Sequence, residues 1–118
     1  IFDAATGDNI LTYSGHTNNV NSASFSPDGT RVVSGSNDAT VQIFDAATGD
    51  EIVTYTGHSN AVYSAGFSPN GTRVVSGSQD DTVQIFDALG GAPFETTITG
   101  LEPLTTYYVR PVLTGRMN

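Results

Sequence analysis

The chain has 118 residues, 37% of them apolar, which suits one domain with a modest core. Its formal net charge is −8 and its four basic residues are all arginine, a balance that argues against a phosphate backbone or an anionic membrane surface as partner. Without a cysteine it can form no disulfide and carry no thiol chemistry, and no apolar run approaches the roughly 20 residues of a membrane span.

Lysine is absent and glutamate scarce, while Thr, Ser, Val and Gly dominate, a bias that fits short strands joined by tight turns. An acidic, lysine-free surface rich in Thr, Ser, Gly and Asn is expected outside the cell or on its surface, or in a salt-adapted protein. Residues 1–42 and 43–84 align without a gap and differ at ten positions, and "IFDA" at 85–88 opens a third copy. The chain therefore begins inside a repeat with "IFDAATGD", the pattern expected of an excerpt or a processed product.

The strands follow in order within each copy. "NILTYSG" and "EIVTYTG" alternate apolar and polar residues, as a half-buried strand does. "VNSASFS" and "VYSAGFS" repeat the alternation with smaller side chains. Ser-Pro-Asp-Gly or Ser-Pro-Asn-Gly then turns the chain, proline presetting one φ and glycine accepting a positive one. "TRVVSGS" is the third strand, Asn37-Asp38 or Gln79-Asp80 opens the next turn, and "TVQIFDA" is the fourth. The reading is all-β: two four-stranded antiparallel units over residues 9–87, with no helix. Asn70-Gly71-Thr72 matches the N-glycosylation acceptor pattern, but Asp28-Gly29-Thr30 stands in its place in the first copy and both suit a turn. The acidic residues of "DAATGD" and "SQDDT" fit no calcium-loop spacing, so no metal or other cofactor is expected.

Gly15-His16, Ser34, Asp38 and "IFD" at 43–45, with Gly57-His58, Ser76, Asp80 and "IFD" at 85–87, resemble the signature of WD40 repeats. A period of about 40–45 residues suits their four-stranded propeller blades. The resemblance implies an antiparallel blade fold over residues 1–88, as part of an incomplete propeller. It also implies that loop histidine, strand serine, turn aspartate and a strand aromatic form a buried tetrad. The corresponding residues are His16, Ser34, Asp38 and Phe44, then His58, Ser76, Asp80 and Phe86. The family's tryptophan is phenylalanine in both copies, so its indole N–H is lost while its packing value stays. Ser, His and Asp together invite a hydrolase reading. Their duplication inside a strand framework, with no nucleophile elbow or oxyanion loop, points to fold support instead.

Residues 89–118 depart from the repeat and form a β-rich tail. "ITGLEPLTTYYVRPVL" resembles a strand pair of fibronectin type III modules, with Leu101, Pro103 and Tyr107 at the places of the tyrosine corner. A plainer reading makes "FETTITG" the outer strand after "TVQIFDA". Two blades cannot close a ring and leave strand edges that recruit other strands. The expected role is therefore a non-enzymatic extracellular subunit that pairs strands with other copies of itself into a fibre or surface layer, residues 1–8 or 105–113 supplying the contact. The alternative is a piece of a larger WD40 scaffold that binds another protein or a glycan.

Overall fold

Runs of alternating Val, Ser and Gly between Pro-Asp-Gly-type turns set the strands, and a computed structural model describes residues 1–88. The strands are β1 (Val20–Phe25), β2 (Arg31–Ser36), β3 (Val41–Asp45), β4 (Glu51–Tyr55), β5 (Val62–Phe67), β6 (Arg73–Ser78) and β7 (Val83–Asp87). They form two antiparallel sheets, one in the order β1-β2-β3-β4 and one in the order β5-β6-β7. Gly29 and Gly71 close the β1–β2 and β5–β6 turns at φ of 76° and 75°, a conformation that favours glycine.

The all-β antiparallel reading holds, but strands are grouped differently from the expected two units of four. A sheet takes three strands from one repeat and its fourth from the next, so blade and repeat are staggered. "EIVTYTG" pairs with β3, from Val41↔Tyr55 to Phe44↔Glu51, rather than with the strand that follows it. "NILTYSG" likewise leaves β1 alone and joins residues 1–3 through the bridge Phe2↔Asn9. "ATGD" closes a tight hairpin held by Gly49 N–H to Asp45 O and Asp45 N–H to Asp50 O, whereas "GHTNN" is drawn to the next blade, His16 and the Thr17 amide bonding Asp38. Among the described residues the second sheet accordingly has three strands. "FETTITG" and the tyrosine-corner positions Leu101, Pro103 and Tyr107 lie outside the described residues. The end expected to reach another chain, residues 1–8, bonds within its own: Asp3 N–H donates to Asp8 O and Ile10 N–H to Ile1 O.

Period-two alternation gives each sheet two faces, and the core lies between the sheets rather than within either. Val33, Val41 and Ile43 of the first sheet meet Val62, Val74 and Phe86 of the second, all essentially without solvent contact. Val62 fits where Gly35 has no side chain: a Cβ at Gly35 would lie 2.7 Å from Val62 Cγ1. Polar clamps fix the angle between blades. Arg31 of β2 donates to Ala88 O at 2.7 Å and Gly71 O at 2.9 Å, and its guanidinium lies 5.1 Å from the centre of the Phe67 ring. Asn21 Nδ2 donates to Val62 O at 2.9 Å.

Candidate functional site

The loop before each blade carries a histidine, β2 or β6 a serine, and the following turn an aspartate. In the first blade His16 Nδ1 lies 2.9 Å from Asp38 Oδ2 and His16 Nε2 lies 2.7 Å from Ser34 Oγ. In the second the same contacts are His58 to Asp80 at 2.8 Å and His58 to Ser76 at 2.7 Å. An ionised carboxylate only accepts, so Nδ1–H donates to it; in the neutral ring Nε2 then accepts the serine hydroxyl. Both expected sets of His, Ser and Asp thus come together.

Each aspartate also organises its turn. Asp38 accepts the amide of Thr17 and both the amide and hydroxyl of Thr40. Asp80 does the same with Ser59 and Thr82. Burial pushes the pKa of Asp38 up, but the Thr40 hydroxyl, the Thr17 and Thr40 amides and His16 together outweigh it and hold the carboxyl below its ordinary range. For Asp80 the Thr82 hydroxyl leads, and with His58 and two amides it overcomes the desolvation. The carboxylate is the hub that pins the loop to the strands.

Phe44 and Phe86 are buried as expected, and each ring is stacked on a tyrosine. Tyr13 lies parallel to Phe44 with centroids 4.0 Å apart, and Tyr55 to Phe86 at 4.2 Å. The tyrosine hydroxyl donates to Gln42 Oε1 or Gln84 Oε1, and that glutamine's Nε2 donates to Thr40 or Thr82 Oγ1. Tyr13, Thr40, Gln42 and their counterparts Tyr55, Thr82 and Gln84 therefore extend the network. They were not singled out from the sequence, although all recur at the 42-residue offset; no polar end was expected beside a phenylalanine. Burial first, and nearby carboxylates second, push both tyrosine hydroxyls above their usual range.

The arrangement reproduces the hydrogen bonds of a Ser-His-Asp hydrolase without its access. The serines are 3% and 1% exposed, in mid-strand, which leaves their hydroxyls little access to an acyl carbon, although Ser34 and His16 line the wall of a groove of about 290 Å³ beside Phe44. Among the described residues no group of three His, Asp or Glu side chains could hold a metal ion. Asn70 Oδ1 accepts Ser68 Oγ, the Thr72 amide and Thr72 Oγ1, the same three bonds that Asp28 makes with Ser26 and Thr30.

The model of the WD domain, G-beta repeat matches residues 7–45 and again 49–87. The chain belongs to the WD40 family. No curated protein matches it significantly. Both matched stretches begin in "ATGD" territory and end at the strand aspartate, so the WD40 repeat carries the same stagger between repeat and blade. Membership implies a protein–protein interaction scaffold, in which the His-Ser-Asp group braces each blade.

The braces and turns give the WD40 blades an acid limit. Asp28 is held at about 2, first by the Thr30 amide and then by the Ser26 and Thr30 hydroxyls. Asp3 and Asp45 are lowered by the amides of Ala5 and Thr6 and of Ala47 and Thr48. A carboxyl whose folded pKa lies below its unfolded value of about 3.9 contributes stability that is fully present above that value and lost as pH falls. Denaturation midpoints should accordingly hold from about pH 5 to neutrality and decline towards about pH 2. Asp28→Asn, which copies Asn70, should leave the neutral midpoint unchanged and shallow the acid decline; an unaltered decline would remove Asp28 from the account.

Proposed function

We propose that the chain is a non-enzymatic interaction scaffold whose WD40 blades present surfaces to protein partners. One observation carries this reading: in both Ser-His-Asp sets among the described residues the serine is buried in mid-strand and bonded to its histidine, while apolar blade faces are open. Duplication at equal geometry supports it further, since a brace is needed once per blade and a catalytic site once per protein. A location outside the cell or on its surface is part of the proposal, supported by the acidic, lysine-free composition.

The reading is tested by exposing the folded chain to a fluorophosphonate, which phosphonylates activated serines with loss of fluoride. Intact mass should stay unchanged. Labelling at Ser34 or Ser76 would make the triad reactive and overturn the non-enzymatic reading. A second reading, a structural subunit that builds a fibre or surface layer from copies of itself, is favoured by the unequal coverage of the two blades. That inequality can be followed to a specific contact.

A further inference from the structure

The two blades have the same sequence on their faces but opposite coverage. Val33, Val41 and Ile43 are each 0% exposed beneath the second blade, whereas their counterparts Val75, Val83 and Ile85 are 44%, 70% and 55% exposed. The reverse holds on the other side: Val62 is 0% exposed against Gly35, while its counterpart Val20 is 52% exposed. Among the described residues both halves of the interface built between the blades thus recur uncovered on the blades' outer faces.

We propose that a second copy of the chain docks head to tail, its second blade seated on the first blade of its neighbour. The contact repeats the one between the blades of a single chain. Val75, Val83 and Ile85 of one copy enter the groove of about 290 Å³ on the other, lined among others by Leu11, Val20, Ala23 and Val32. Val20 takes the place beside Gly77 that Val62 takes beside Gly35. Tyr63, 54% exposed, stands at the position from which Asn21 reaches across the existing interface, and supplies an aromatic anchor there.

The same operation completes the three-stranded sheet. Residues 9–13 already relate to the first blade as β4 relates to the second, since Tyr13 stacks on Phe44 and bonds Gln42 as Tyr55 does with Phe86 and Gln84. They are thus placed as the fourth strand of a sheet whose third strand is equivalent to β7. In the single chain that place is held by residues 1–4, the same tetrapeptide Ile-Phe-Asp-Ala as residues 85–88, through the bridge Phe2↔Asn9. β7 of the neighbour displaces them, because it can pair along its length, Val83 with Tyr13 and Phe86 with Asn9, as β3 does with β4. A heterologous contact of this kind closes into a ring or runs on as a filament, according to the rotation per step.

This inference rests on the scaffold reading and names the partner as the chain itself. Sedimentation of the full chain over a range of concentrations tests it. The weight-average mass should rise with concentration above the 12.3 kDa of one chain. Ile85→Arg and Val20→Arg, at exposed positions on the two outer faces, should each leave a monomer that melts like the wild type at concentrations where the wild type is itself monomeric. Mixed in equal amounts they should form a one-to-one dimer, because each keeps the half that the other has lost. Deleting residues 1–4 removes the internal competitor and should strengthen association, which is a second readout should either arginine variant fail to fold. A monomeric wild type at every concentration, or a mixture that stays monomeric, overturns the inference. So does a chain cut after Ala88 that associates where the full chain does not, which would assign the face to residues 89–118. Failure here leaves the serine-labelling result, and with it the scaffold reading, untouched.

Discussion

Phe86→Ala should destabilise the chain by about 3–5 kcal/mol, a loss comparable with the whole stability of a small domain. The ring is 1% exposed and belongs to the core shared by both blades. Its removal forfeits the transfer energy of the ring, leaves a cavity between the sheets, and ends the stacking with Tyr55. Tyr55 is part of β4, in the first sheet, so the loss is felt by both blades. Phe44→Ala should cost less, because its outer side borders a groove already open to solvent. Urea denaturation of both variants checks this. Equal losses would mean that the faces on either side of the molecule are equally covered.

His58→Ala should cost about 1–3 kcal/mol, since it takes one partner from Asp80 Oδ2 and leaves the buried Ser76 hydroxyl only a long bond of 3.4 Å to Gln84 O. Asp80→Ala should shift the denaturation midpoint the same way, by releasing the Ser59 and Thr82 amides from the turn. Because the two residues act through one network, the double variant should lose less than the sum of the single losses. Additive losses would show two independent contacts instead of a brace. An unchanged midpoint for either variant would show that the hydrogen bonds do not hold in solution.

Most of the brace was legible because its members recur at a fixed offset between turn signals that set the strands. His16, Ser34, Asp38 and Phe44 could be grouped from their places in the family signature, which recurs at the 42-residue offset. Tyr13 and Gln42 could not. Their role depends on a residue of one blade lying over the next, a relation that alternation within a strand does not encode. The grouping of strands is hidden for a similar reason: the text repeats in one frame, while hydrogen bonding divides the blades at the "GHTNN" loop that His16 and Thr17 tie to Asp38. Exposure was the least legible feature of all. Val33 and Val75 sit in identical hexapeptides, and only the neighbouring blade decides that one is buried and the other is not.

That dependence on the neighbouring blade can be measured at one pair of glycines. Gly35 and Gly77 occupy the same place in "RVVSGS", yet an added Cβ meets Val62 Cγ1 at 2.7 Å at the first and only Ser64 Oγ, at 3.3 Å, at the second. Denaturation should be followed at chain concentrations low enough to keep the protein monomeric. Gly35→Ala is then predicted to cost about 1–3 kcal/mol by overpacking the interface between blades, and Gly77→Ala less than about 0.5 kcal/mol. Equal costs at the two positions would contradict a core that lies between the blades.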